Sequence, residues 1–201
     1  MAFLFSGDLS LFIKTAGYIG IFIVLFAESG ILLGFFLPGD SLLFTAGFLA
    51  SQGYFSIILL MVLAWAAAVV GDSVGYMIGE KVGPRLFTRK KTFFFDPKYV
   101  EYTKDFFERH GGKTIVLARF TPFVRTLAPL LAGVGKMPYQ NFFFYNILGG
   151  ALWGLGIPLL GFVLGSVIPD VDHYLLPIIG LVILVSLLPG IIHLLIYKFR
   201  R

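Results

Sequence analysis

The sequence predicts an all-α polytopic membrane protein, an inverted repeat of two opposed re-entrant helical hairpins plus transmembrane helices. Three observations carry that expectation. Hydrophobic residues make up 58% of the 201 and charged residues 13%, with a mean hydropathy of +0.90; a soluble domain carries about a quarter charged residues. Apolar blocks of spanning length recur along the chain. Two of those blocks hold both charge and a central proline.

The length suits one domain, residues 1–201. With no cysteine there is no disulfide framework and no thiolate chemistry. The opening MAFLFSGDLS lacks a basic segment followed by an apolar core and a small-residue cleavage site. The first span is therefore expected to serve as an uncleaved insertion signal.

Six apolar blocks run near residues 10–27, 29–50, 55–79, 114–135, 140–165 and 174–197, each close to the ~20 residues a crossing helix needs. The one long polar stretch, 80–113, holds Lys81, Arg85, Arg89, Lys90, Lys91, Lys98, Lys104, Arg109 and Lys113. Lys198, Arg200 and Arg201 form a second basic cluster, whereas 166–173 has no Lys or Arg. Cytoplasmic loops concentrate Lys and Arg, so both basic segments belong in the cytoplasm. Six simple crossings would put one of them outside. Making 114–135 re-entrant removes the conflict. The uncharged SQGYF at 51–55 suits the exterior, and a matching re-entrant block at 29–50 returns the N-terminus to the cytoplasm.

The two hairpins are read from FFLPGDSLLFTAG, broken at Pro38 and Gly39, and ARFTPFVRTLAPLLAGVG, where Arg119 and Arg125 bracket Pro122. Proline removes a backbone donor and ends or kinks a helix. Irregular backbone at membrane depth persists only when buried in protein or lining a wet cavity. The two tips are expected to meet near the midplane. An internal repeat agrees. Ala46-Gly47 recurs 86 residues later as Ala132-Gly133, and Gly75-Tyr-Met-Ile-Gly79 recurs at the same interval as Gly161-Phe-Val-Leu-Gly165. Broken helices in inverted repeats are how secondary transporters build a central site.

Within the loop, DPKYVEYTKDFFERH at 96–110 starts with Asp96 as cap and Pro97 at the first helical position, and Gly111 follows as the stop. Tyr99, Tyr102, Thr103, Phe106 and His110 share one face, preceded by Phe93, Phe94 and Phe95. Two readings stay open: an amphipathic helix on the cytoplasmic leaflet, and a linker helix packed on the bundle. Its basic residues suit anionic lipid, and no nucleic-acid partner is expected.

Four charges stand in or at the edge of the two proline-broken blocks: Glu28, Asp40, Arg119 and Arg125. Glu28 and Arg119 have a bland alternative as snorkelling residues at span ends. All four have another, as buried salt bridges that register the hairpins, although such pairs rarely outdo apolar packing. Two arginines converging in a membrane cavity suit a phosphate, which guanidinium holds in a bidentate fork. Glu28 or Asp40, held out of water, is a candidate for proton exchange near neutrality. The histidines His110, His173 and His193 form no metal spacing, and Asp170, Asp172 and His173 read as a solvated turn. No metal and no cofactor are expected. Gly71, Gly75 and Gly79, and Gly150 and Gly154, read as close helix packing; Trp65 and Trp153 read as packing or interface anchors.

Glu28, FLPGD at 36–40 with Ala46-Gly47, GDSVGYMIG at 71–79 and above all FFERHGGKTIVLARFTPFVRTLAPLLAGVGKM at 106–137 resemble the DedA family, whose domain in eukaryotes is called the SNARE-associated Golgi or VTT domain. The resemblance covers nearly the whole chain and shows no departure at Glu28, Asp40, Arg119 or Arg125. It implies two opposed re-entrant hairpins in a multi-pass protein of the bacterial inner membrane, with both termini cytoplasmic. It also implies lipid translocation: recycling of undecaprenyl phosphate between leaflets, or movement of phosphatidylethanolamine, with a link to the proton-motive force. Arg119 and Arg125 would hold the lipid phosphate, and Glu28 and Asp40 would gate it.

Rival classes make different demands. An enzyme acting on lipid phosphates would want a histidine nucleophile or an Asp cluster near an arginine, and the embedded blocks hold neither; no enzymatic activity is expected. A scaffold would tolerate neutral residues at Arg125. A small-solute or ion transporter shares the inverted repeat. The lipid carried, its energy coupling and whether the protein acts as an oligomer are open at this level.

Overall fold

The computed structural model describes residues 17–30, 39–87 and 97–167. Among them every regular element is an α-helix: α1 Gly17–Gly30, α2 Gly39–Ser51, α3 Ile57–Phe87, α4 Pro97–His110, α5 Lys113–Ala118, α6 Pro122–Val134 and α7 Tyr139–Val167. The apolar block at 174–197, Pro38, the phenylalanines at 93–95 and both chain ends lie outside the described residues.

Among the described residues two helices are long and apolar enough to cross a membrane, Ile57–Val82 within α3 and Tyr139–Val167. At ~1.5 Å per residue either exceeds a ~30 Å hydrocarbon core. The first of them outruns its expected end at 79, continuing to Phe87. Hydropathy marks where apolar residues stop, not where the backbone ladder stops. In the same way α1 continues through Glu28 to Gly30, so the start of the expected hairpin block at 29 belongs to α1.

The helices sort into two compact units, one holding residues 17–22, 39–64 and 155–167 of the described chain, the other 23–30, 65–87 and 97–154. In the first, α2 lies on the second half of α7. A Cβ at Gly47 would fall on the Pro158 carbonyl, and one at Gly161 on the Phe44 carbonyl. Only glycine admits backbones this close. Leu43, Phe48 and Pro158 are fully buried there, and Gln52 Nε2 donates to the Gly165 carbonyl at 3.1 Å.

The second unit repeats the crossing with α6 on α3. A Cβ at Gly133 would fall on the Tyr76 carbonyl, and one at Gly79 on the Leu130 carbonyl. Gly79 thus takes the part that Gly161 plays in the first unit, one helical turn away from its partner in the sequence repeat. Around this crossing Tyr76, Phe107, Ile115, Ala118, Ala128, Ala132, Met137 and Phe142 form a buried cluster, with the Tyr76 and Phe142 rings stacked 4.7 Å apart. The Tyr76 hydroxyl donates to the Met137 carbonyl.

Helix α4 turns Phe107 to the core, beside the aromatic face. Phe107 is buried, whereas Tyr102, Phe106 and His110 are exposed. Thr103, on the same face as Tyr102 and Phe106, lies against Gly135. Gly111, at φ +64, ends the helix, as its lack of Cβ allows.

Between α5 and α6 the chain breaks for a local reason. Pro122 stands at the start of α6, and Thr121 before it is extended, at φ −117 and ψ 110. Proline pushes its predecessor out of the helical region, so the helix that ends at Ala118 restarts in a new direction. Arg119 caps the first piece, and Arg125 rides on the first turn of the second, its N–H bonded to the Thr121 carbonyl at 3.0 Å.

Candidate functional site

Glu28, Arg119 and Arg125 come together within the second unit; Asp40 lies in the first unit, in the opening turn of α2, where the helix dipole favours an acid. The approach of α1 to α3 sets the first part of the site. Gly30 and Gly71 meet backbone to backbone, with no space for a side chain between them. That contact places Ser29 beside Asp72, and both line one cavity with Arg119, Arg125 and Trp153.

Each arginine has its own carboxylate. Arg125 pairs with Glu28, and Arg119 pairs with Asp72. The side chains of both pairs are 5% to 9% exposed. Arg125 also lies over the Trp153 ring, 4.9 Å from its centre, a favourable placement of a cation on a π face. Trp153 therefore does more than fill space.

Arg119 has a second acceptor. Its Nη2 also donates to Asn146 Oδ1 at 2.6 Å, and Asn146 Nδ2 donates to the Val69 carbonyl at 3.0 Å. Gly149, one turn along α7, leaves room for the guanidinium: a Cβ there would touch Arg119 Nε at 3.4 Å. That Nε is buried with no hydrogen-bond partner among the described residues. Trp65 Nε1 bonds the Ile147 carbonyl at 3.1 Å and fixes α7 against α3.

The cavity measures about 10 Å³, room for roughly one water. Two cations and two anions balance around it. In this arrangement the charges of the site balance, and the cavity is too small for a phosphate. Among the described residues no cluster of three or more His, Asp or Glu could hold a metal ion.

Asp72, Asn146 and Trp153 join the site residues expected from sequence. Asp72 carries the signal that picked out Asp40, a carboxylate inside an apolar block. Asn146 carries none, because an uncharged amide hardly lowers the hydropathy of α7.

The VTT domain matches residues 37–168 of this chain. Protein DedA of Escherichia coli K12 is 44% identical over 183 residues, 90% of this chain and 83% of that protein. An uncharacterized membrane protein of Mycobacterium leprae is 45% identical over 170 residues, 85% and 76% of the two chains. Inner membrane protein YghB of E. coli K12 is 36% identical over 157 residues, 78% and 71%. No solved structure matches the chain significantly. None of these names denotes a catalytic activity. With the domain match spanning more than half the chain and the identity to DedA running through most of it, this protein belongs to the DedA family of VTT-domain membrane proteins.

Proposed function

We propose that the protein moves a phosphate-bearing lipid between membrane leaflets, undecaprenyl phosphate first and phosphatidylethanolamine second among candidates, with protons coupled to the movement. Arg119 and Arg125 take the lipid phosphate. Glu28 and Asp40 gate it by exchanging a proton or the head group. The observation that carries this reading is the paired site itself: two buried arginines, each latched by a carboxylate, around one small cavity. An unpaired charge in hydrocarbon costs several kcal/mol or more, so a translocated phosphate needs cations, and the cations need a partner between substrates.

The repeated glycine crossing supports the inverted-repeat reading, and the α5–α6 break at Pro122 supports a re-entrant second hairpin. The Lys and Arg distribution supports a multi-pass inner-membrane topology with both termini cytoplasmic.

A scaffold without transport is the second reading, favoured by one fact: both arginines already have carboxylate partners, as a purely structural register would require. A leaflet-asymmetry assay separates the two. Purified protein in liposomes of defined phospholipid should speed redistribution of a labelled phosphate lipid and respond to an imposed pH gradient, and Asp40→Asn should abolish that response while inserting normally. No acceleration for any phosphate lipid would favour the scaffold.

A further inference from the structure

The geometry points to Asp72 as the anion that an incoming phosphate displaces from Arg119, with Asn146 holding the guanidinium in place during the exchange. The inference rests on the phosphate-site reading above and deepens it. Arg119 Nη2 serves two acceptors of different kinds, the Asp72 carboxylate and the Asn146 amide oxygen. The amide is completely buried, and its orientation is fixed because Nδ2 must donate to the Val69 carbonyl. As a neutral acceptor it opposes no incoming anion, and it is tied at both ends. Asp72 is the charged, exchangeable partner. Arg119 Nε adds a buried donor with no hydrogen-bond partner among the described residues, so the guanidinium can engage a new acceptor without first losing the old one.

Charge balance then sets the proton count. The groups around Asp72 are Arg119 at the α5–α6 turn, Arg125 on α6, Ser29 and Glu28 on α1, its neighbour Ser73, and Asn146 and Trp153 on α7. These are two cations against two carboxylates. A phosphodiester entering with one negative charge leaves a buried site one unit out of balance, which is costly. One proton taken up by the displaced Asp72 carboxyl restores neutrality and removes it as a competitor. Asp72 is thereby a positioning and exchange residue for anion binding, alongside the Glu28 latch on Arg125.

Calorimetry on the purified full-length protein tests this, with dihexanoyl phosphatidylglycerol, whose charge stays at one, as the probe. Titrations in buffers of different ionisation enthalpy read the protons taken up. Wild type should take up about one proton per lipid bound, since one group must be neutralised. Asp72→Asn, which keeps an oxygen for Arg119, should bind roughly tenfold tighter at pH 8 with uptake near zero. Asn146→Ala should weaken binding roughly tenfold and leave the proton count unchanged. Binding by wild type without proton uptake, or wild-type uptake in Asp72→Asn, overturns the inference, and the wild-type count alone decides it if Asp72→Asn fails to fold. Arg125→Gln separates the levels. If it abolishes binding while wild-type uptake is zero, only this inference falls; if wild type fails to bind, or Arg125→Gln binds as well as wild type, the phosphate site falls with it.

Discussion

Asp72 and Arg119 form an ion pair sealed inside the protein, their side chains 7% and 5% exposed. Removing one member of such a pair strands a buried charge, at a cost of about 3–5 kcal/mol, whereas replacing both with apolar residues is often neutral. Asp72→Leu should therefore unfold far more readily than Asp72→Leu with Arg119→Leu. Thermal and denaturant unfolding of the purified variants would show it. Equal destabilisation by the single and double variants would mean that the pair is not coupled.

Two glycines of α7 should respond oppositely to the same methyl group. Gly161 abuts the Phe44 carbonyl, while nothing lies within 4 Å of a Cβ at Gly156. Gly161→Ala should destabilise by about 3 kcal/mol or more through backbone displacement. Gly156→Ala should stabilise by about 0.5–1 kcal/mol, the helix preference for alanine. Unfolding midpoints of the two variants beside wild type would check both signs.

Those glycines also show what a sequence can and cannot reveal here. The helical, membrane-bound character follows from composition, and Glu28, Arg119 and Arg125 stand out because each is a charge in or at the edge of an apolar block. Asp72 meets the same criterion but is set among Gly71, Gly75 and Gly79, whose spacing draws the segment into a packing motif. Asn146 is neutral and leaves no mark in hydropathy. The repeat is visible at an interval of 86, yet the contacts slip α3 by one turn relative to α7. A Gly-x-x-x-Gly segment shifted by four residues still matches glycine to glycine, so its register cannot be read from identity alone. That α1 runs on through Glu28 and α3 beyond residue 79 depends on the backbone ladder, which hydropathy does not register.

The positive-inside distribution makes a topological prediction. Tyr54, exposed in the turn between α2 and α3, should face the exterior, and Lys104, exposed on α4, the cytoplasm. In this cysteine-free chain, Tyr54→Cys should react with an impermeant maleimide in intact cells. Lys104→Cys should react only after permeabilisation. Labelling of Lys104→Cys from outside would reverse the orientation.

Arg125 carries the central claim, because it is the arginine with an ion-pair partner on one side and the Trp153 ring against its guanidinium. Arg125→Lys keeps the charge and loses the planar fork that a phosphate engages in two places. Transport of a labelled phosphate lipid by the purified variants in liposomes, at equal folded protein, is the direct measurement. The account predicts at least a roughly tenfold fall in rate for Arg125→Lys and a near-complete loss for Arg125→Gln, in line with a lost charge-assisted hydrogen bond in the first and a lost charge in the second. Wild-type rates in both variants would contradict it and leave Arg125 a structural residue.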